Sequence, residues 1–189
     1  MILPSSFFQR PDVVELARDM IGLLLCTHID GQVCAGRILE AEAYAGLNDR
    51  ASHSFGNRRT ARNEPMYGPG GRSYVYLCYG IHHLFNVVTN REGIPQGVLI
   101  RAVEPAWGEE VIRNRLGKSR AATGPGLVTK ALGIDRLRHN ALPLDQPPVW
   151  IESDGIPLRP GDLVQGPRVG VDYAGEDALL PYRFRWIFH

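Results

Sequence analysis

The spacing of apolar positions changes along the chain and marks out its elements. After Pro11-Asp12, the residues Val13, Val14, Leu16, Ala17, Met20 and Ile21 recur at helical intervals, and Gly22 closes the pattern. Residues 23–29 and 32–43 then read as strands on either side of Asp30-Gly31, the strongest short hairpin signal. Residues 73–79 (S-Y-V-Y-L-C-Y) and 84–89 (L-F-N-V-V-T) are two further strands joined through Gly80-Ile81-His82-His83, and 97–103 is another. A helix is expected to start at Glu104-Pro105. A second, shorter one follows Gly124-Pro125-Gly126 and runs to Leu132, where Gly133 caps it. Strands at 149–152, 168–171 and 182–188 complete the pattern. In the last, Tyr182, Phe184, Trp186 and Phe188 share one face while Arg183 and Arg185 take the other.

Between the early and middle strands, residues 45–72 are rich in Gly, Asn, Arg and Ser and show little periodicity. A segment this long without regular structure is more often functional than idle. Strands predominate and helices are grouped rather than alternating with them. The expectation is an α+β fold: one domain over residues 1–189, built on a curved, mainly antiparallel sheet with flanking helices.

Within the second strand, residues 37–44 read R-I-L-E-A-E-A-Y, which places two carboxylates in an apolar run where strand propensity does not favour them. Alternation puts Glu40 and Glu42 on one face, roughly 7 Å apart. They are either a solvated strand face or a catalytic acid or base held on a rigid element. Tyr44 closes the stretch; Tyr74 and Tyr76 share a strand face, and Tyr79 sits where it can point outward at the Gly80 turn. Clustered tyrosines serve as core, or beside arginine-rich loops as a stacking cage for a flipped base with a wedge to fill the gap. His53, in A-S-H-S-F, is a structural residue or a site residue on this evidence alone.

Composition narrows the classes. No apolar run approaches the ~20 residues of a membrane span, and the first residues lack the pattern of a signal peptide. The 3 cysteines, Cys26, Cys34 and Cys78, form no C-x-x-C pair, which argues against a disulfide framework or structural zinc and fits a cytoplasmic setting. His82 and His83 are adjacent rather than a helical turn apart, no H-E-x-x-H occurs, and neither a Walker loop nor a dinucleotide fingerprint is present. The net charge of +1 conceals an asymmetry: residues 50–72 hold five arginines, including Arg58 and Arg62, against one acid, and residues 113–138 seven basic groups against one. Residues 145–177 hold seven acids against two arginines. The basic segments are scattered solvated faces, or a surface that neutralises phosphates if they meet. The helix start at Gly124 adds backbone N–H groups of the kind that receive a phosphate.

Taken together, R-I-L-E-A-E-A-Y at 37–44, A-S-H-S at 51–54, R-N at 62–63, Y-V-Y-L-C-Y-G at 74–80, N-V at 86–87, V-L-I-R-A-V-E-P at 98–105 and T-G-P-G at 123–126 resemble the alkyladenine (3-methyladenine) DNA glycosylase family. The resemblance runs from about Asp12 to the end. It implies a monomeric, monofunctional base-excision enzyme without metal or organic cofactor, acting on double-stranded DNA that contains damaged purines. By this resemblance Glu42 is the catalytic carboxylate and Arg101 the arginine near its water; Tyr44, His53 and Tyr76 stack on the base, Asn86 screens purines and Tyr79 is the wedge. Arg58, Arg62 and Gly124 are the expected DNA-backbone contacts. Leu127 stands where relatives often carry lysine.

The chemistry of those residues is coherent. Breaking an N-glycosidic bond builds positive charge on the deoxyribose, which an ionised carboxylate stabilises while it accepts a proton from water. Arg101 is expected to lower the Glu42 pKa by Coulomb attraction. An N3- or N7-alkylated purine is already cationic and stacks well on electron-rich rings; deaminated and etheno purines are further candidate lesions. Two other readings stay open: a non-catalytic damaged-DNA-binding module, and a sugar glycosidase using Glu40 and Glu42 as its pair.

Overall fold

Asp30 and Gly31 adopt φ of 51° and 73°, the left-handed pair a tight hairpin demands, and the rest of the sheet is laid against the second arm of that hairpin. A computed structural model describes residues 1–117, 121–159 and 161–187. Lys118 and Arg120 of the second basic segment, and Phe188 of the last expected strand, therefore lie outside the described residues.

The strands are β1 (Leu24–Ile29), β2 (Gln32–Tyr44), β3 (Arg72–Cys78), β4 (His82–Thr89), β5 (Gln96–Trp107), β6 (Ala122–Thr123), β7 (Asp145–Gln146), β8 (Val149–Glu152), β9 (Leu163–Gly166) and β10 (Arg183–Trp186). The helices are α1 (Ser5–Phe8), α2 (Val13–Asp19), α3 (Glu109–Leu116), α4 (Pro125–Leu132) and α5 (Arg136–His139). The main path of the sheet is β3-β4-β5-β2-β1-β8-β7, with β10 joining β2 and β9 to it. All of these pairings are antiparallel, and the sheet curls into a half-barrel, as expected of an α+β domain.

The 13-residue β2 serves two neighbours along one edge: residues 32–37 pair with β1, and residues 40–42 with β10. Its other edge pairs with β5. Alternation then sorts its side chains. Ala41 and Ala43 enter the main core with Val98 and Ile100 of β5, Phe85 and Val87 of β4 and Val75 of β3. Leu16 and Ala17 of α2, Met20 just after its end, and Val128, Ala131 and Leu132 of α4 close the core from the other side. Asp12 caps α2 by accepting hydrogen bonds from the N–H groups of Val14 and Glu15. Glu40, Glu42, Tyr44, Tyr74, Tyr76 and Asn86 are left off that core, and Ala51, Ser52, His53 and Met66 of the long 45–71 segment meet the last four of them.

Two expected elements differ. The chain does not turn helical at Glu104-Pro105: β5 continues to Trp107 because Glu104 and Pro105 stand opposite Arg37 and Gly36 of the long β2. Gly108, with φ of 67°, ends the strand and precedes α3; a Cβ there would lie 2.5 Å from the Val33 carbonyl oxygen. Residues 168–171 do not form a strand. β9 at Leu163–Gly166 pairs with β10 instead, and the following segment gives its polar groups to the site rather than to a ladder.

Candidate active site

Glu42 stands in a lateral row across the sheet. Arg183 of β10 lies opposite Glu42, Glu42 opposite Leu99 of β5, Leu99 opposite Asn86 of β4, and Asn86 opposite Tyr74 of β3. At about 4.8 Å per strand, three steps carry this row roughly 14 Å from the carboxylate to Tyr74. The pocket is built along that row.

The Glu42 side chain has no solvent-exposed surface. Its Oε2 accepts a hydrogen bond from the Tyr44 hydroxyl at 3.0 Å, and its Oε1 one from the Val169 N–H at 2.8 Å. Arg101 approaches with Nε 3.3 Å from Oε1 and Nη1 3.5 Å from Oε2. The register slips between Glu40 and Ala41, whose partners are Ala102 and Ile100, so Arg101 has no partner opposite it. Such a bulge re-aims a side chain. The Arg101 Nε donates to Glu40 Oε1 at 2.9 Å, and the Arg183 Nε donates to the same oxygen at 2.7 Å. Glu40 is thereby held between two guanidinium groups, while Glu42 keeps a longer contact with one of them.

Burial pushes the Glu42 carboxyl above the usual range, as does Glu40 to a smaller degree. Arg101, the Val169 N–H and the Tyr44 hydroxyl pull in the other direction. The expectation that Arg101 lowers the pKa thus holds for its own contribution, but desolvation outweighs it. A carboxylate so placed is a stronger base than an exposed one.

Beside this carboxylate opens a pocket of about 50 Å³ lined by Tyr44, His53, Tyr74, Tyr76, Asn86 and Tyr173, among others. Glu42 lies one hydrogen bond behind its wall, through Tyr44. His53 and Tyr76 meet edge to face, 4.7 Å between centroids, and Tyr76 lies 5.3 Å from Tyr74 at a tilt of 31°. The His53 Nδ1 is 2.9 Å from the Tyr74 hydroxyl. Burial first, then Arg62 and Arg58, lower the His53 pKa to about 4, so its ring is neutral at neutral pH. Asn86 donates from Nδ2 to the Tyr74 carbonyl at 3.1 Å. Among the residues expected at the site, Glu42, Arg101, Tyr44, His53, Tyr76 and Asn86 come together here.

Tyr79 sits apart from the pocket at the tip of the β3–β4 hairpin. Tyr79 and Gly80 have φ of 50° and 72°, and the Tyr79 side chain is 92% exposed beside Ile81, which is 71% exposed. A large ring held out in water on a tight turn has no folding benefit. Arg62 donates to the Leu77 carbonyl at 3.2 Å and lies over the Tyr76 ring, tying the long loop to this hairpin. Arg58 is exposed. The Gly124 N–H already donates to the Arg101 carbonyl at 2.8 Å, linking the start of α4 to β5 beside Glu42. Leu127 packs against the core from the first turn of α4.

Several residues of the site escape a reading by motif. Arg168 is fully buried and paired in two contacts with Asp49, at 2.5 and 2.8 Å, while it also donates to the carbonyls of Ala43 and Asp177. Its guanidinium lies over Tyr44 and Tyr182, 4.9 and 5.2 Å from the ring centroids. Val169 supplies the N–H to Glu42, and Tyr173 forms part of the pocket wall. One signal was available: Arg168 is one of two arginines in the otherwise acidic stretch 145–177.

Comparison with known proteins identifies the family. The family model described as methylpurine-DNA glycosylase matches residues 6–187. A protein of Chlamydia felis named "Putative 3-methyladenine DNA glycosylase" is 44% identical over 188 residues, covering 97% of this chain and 95% of its own. Proteins of the same name from Methanocella arvoryzae and Bacillus cereus are 43% and 41% identical, covering 97% and 100% of this chain and 91% and 97% of their own. No helix among the described residues is long and apolar enough to cross a membrane. A family match over nearly the whole chain, together with relatives of this identity and coverage, establishes that the chain belongs to the methylpurine-DNA glycosylase family.

Proposed function

We propose that this enzyme removes alkylated purines such as 3-methyladenine from duplex DNA by hydrolysis, with Glu42 activating the attacking water and no lyase step. The observation that carries the reading is the buried Glu42, set behind an aromatic pocket and held by Arg101, the Val169 N–H and the Tyr44 hydroxyl. The flipped base enters between Tyr44, His53 and Tyr76, where a cationic purine gains from electron-rich faces. Tyr79 fills the place it leaves in the stack. Glu42 has no exposed surface in the free enzyme, so water reaches it only as the pocket adjusts around a nucleotide. There the carboxylate stabilises positive charge growing on the sugar and takes the water proton. Arg101, shared with Glu40, orients the carboxylate and the water. Asn86, two strands along the row from Glu42, screens purines. Deaminated and etheno purines are neutral leaving bases and would depend more heavily on protonation than a cationic one.

A sugar-hydrolase reading fits less well. Glu40 and Glu42 project from one face of one strand toward a shared arginine, whereas that mechanism sets its acids on opposite sides of the scissile bond.

The test is a panel of duplexes, each carrying one defined lesion, incubated with the enzyme and then treated with alkali to reveal abasic sites. Excision of 3-methyladenine with strand breaks only after alkali is expected. Binding without abasic sites would instead leave a damage-binding protein, and breaks before alkali would show lyase activity.

A further inference from the structure

In the free enzyme the base pocket is small. Its volume of about 50 Å³ falls well below the ~300–1,000 Å³ of a site that encloses a small molecule, so a wall has to give way before a purine enters. Most of the walls are fixed. The Tyr44 hydroxyl is held by Glu42 and its ring lies under Arg168; His53 is bonded to the Tyr74 hydroxyl, Asn86 to the Tyr74 carbonyl, and Tyr76 lies under Arg62. Met66 is buried.

Tyr173 differs from all of these. It is 72% exposed, and its hydroxyl donates across the chain to the Ala51 carbonyl at 3.1 Å. The backbone beneath it is anchored, because Val171 and Ala174 are buried with Ala51 in one apolar cluster and the Ala174 N–H donates to the Val171 carbonyl at 2.8 Å. The Tyr173 side chain can therefore turn without disturbing the fold, as exposed side chains do within picoseconds to nanoseconds. On its far side lies a second cavity of about 410 Å³, which shares Ala51, Ser52, His53 and Tyr173 with the base pocket. Ala51 and Ser52 are buried and His53 is tied to Tyr74, so Tyr173 is the part of the shared wall that is free to turn. Turning it aside merges the two spaces into one of ligand-enclosing size.

We propose that Tyr173 is a latched partition that sets the size of base the pocket accepts, and is thus a specificity-determining residue. The inference rests on the glycosylase reading and adds to it the group that limits which alkylated purines fit. Latched to Ala51, the ring confines the pocket; released, it opens the pocket into the neighbouring cavity. A methylated base displaces the ring little, whereas a bulkier adduct displaces it further and meets more resistance.

Duplex DNA alkylated with a methylating or a benzylating agent tests this, with the released 3- and 7-alkylpurines separated and their kcat/KM values measured. Methyl and benzyl adducts at one ring position are both cationic and differ chiefly in size. In the Tyr173→Ala enzyme the preference for methyl over benzyl should fall by about 10-fold or more at one position at least, the scale on which pocket volume discriminates. Tyr173→Phe keeps the ring and loses the latch, so kcat/KM should rise about 2- to 10-fold, the net worth of one hydrogen bond. Thermal melting checks that each variant folds; should Tyr173→Ala not fold, Tyr173→Leu takes its place. An unchanged methyl-to-benzyl ratio, or an equal loss on both adducts, would overturn the partition and leave Tyr173 as plain wall; a Phe variant no faster than wild type would overturn the latch. Absence of 3-methyladenine release by the wild type would instead overturn the glycosylase reading.

Discussion

At the scale of the residue, the environments of two acids separate what their spacing leaves equal. Glu40 shares one oxygen between Arg101 and Arg183, so its charge is compensated in place. Glu42 is more deeply buried, less tightly paired and pushed upward in pKa. Glu42→Gln is expected to reduce single-turnover excision by roughly 10²–10⁴-fold, the usual contribution of a positioned base. Removing a desolvated charge should leave the melting temperature unchanged or raised. Glu40→Gln should cost less activity, because it loosens Arg101 without removing the base. The excision rate should rise with pH through the Glu42 pKa, with a midpoint above the ~4.3 of a free glutamate. Below that midpoint the carboxyl is protonated and cannot accept from water. His53, lowered to about 4 by burial and then by Arg62 and Arg58, stays neutral at neutral pH.

At the scale of the element, the site depends on a clasp and a tip. Arg168 joins β2, through the Ala43 carbonyl, to Asp49 in the loop that follows and to the Asp177 carbonyl; it also lies over Tyr44. Its neighbour Val169 holds Glu42. Asp49→Asn leaves a buried guanidinium without its counter-charge and should destabilise the fold by about 3–5 kcal/mol in urea unfolding. Arg168→Lys keeps a charge but loses the fork, and should shift the acid limb of the pH–rate profile upward as the Val169 N–H and Tyr44 lose their alignment. The hairpin tip behaves oppositely. Tyr79→Ala removes an exposed ring, so melting should be unchanged, while lesion binding and excision weaken by about 10-fold or more if the ring substitutes for a lost base stack.

At the scale of the whole molecule, a net charge of +1 conceals a local gathering of arginines. Arg50, Arg58 and Arg62 gather at one cavity beside the base pocket, and α4 begins at Gly124, hydrogen-bonded to Arg101. Binding to undamaged duplex should therefore weaken steeply with salt, each neutralised phosphate contributing about −0.9 to the logarithmic slope. Arg58→Gln should flatten that slope by about one contact, whereas Arg59→Gln should change it less, because Arg59 is already paired with Glu64.

Much of this was legible in the chain, for reasons of range. The Asp30-Gly31 turn, the alternation that sets Glu40, Glu42 and Tyr44 on one face and Ala41 and Ala43 on the other, and the helix between Gly124 and Gly133 all follow from local rules. The order of motifs pointed to the family because several short segments each kept its residues. What the sequence could not determine depends on partners far along the chain. The ladder beside the long β2 carried β5 past Pro105, and a slip in that ladder turned Arg101 toward the acids. Val169 reaches Glu42 across 127 positions, and Arg168 reaches Asp49 across 119. Whether a carboxylate is solvated or buried, and whether an arginine is paired or left to seek a phosphate, is decided by desolvation and Coulomb attraction among groups that only folding brings together.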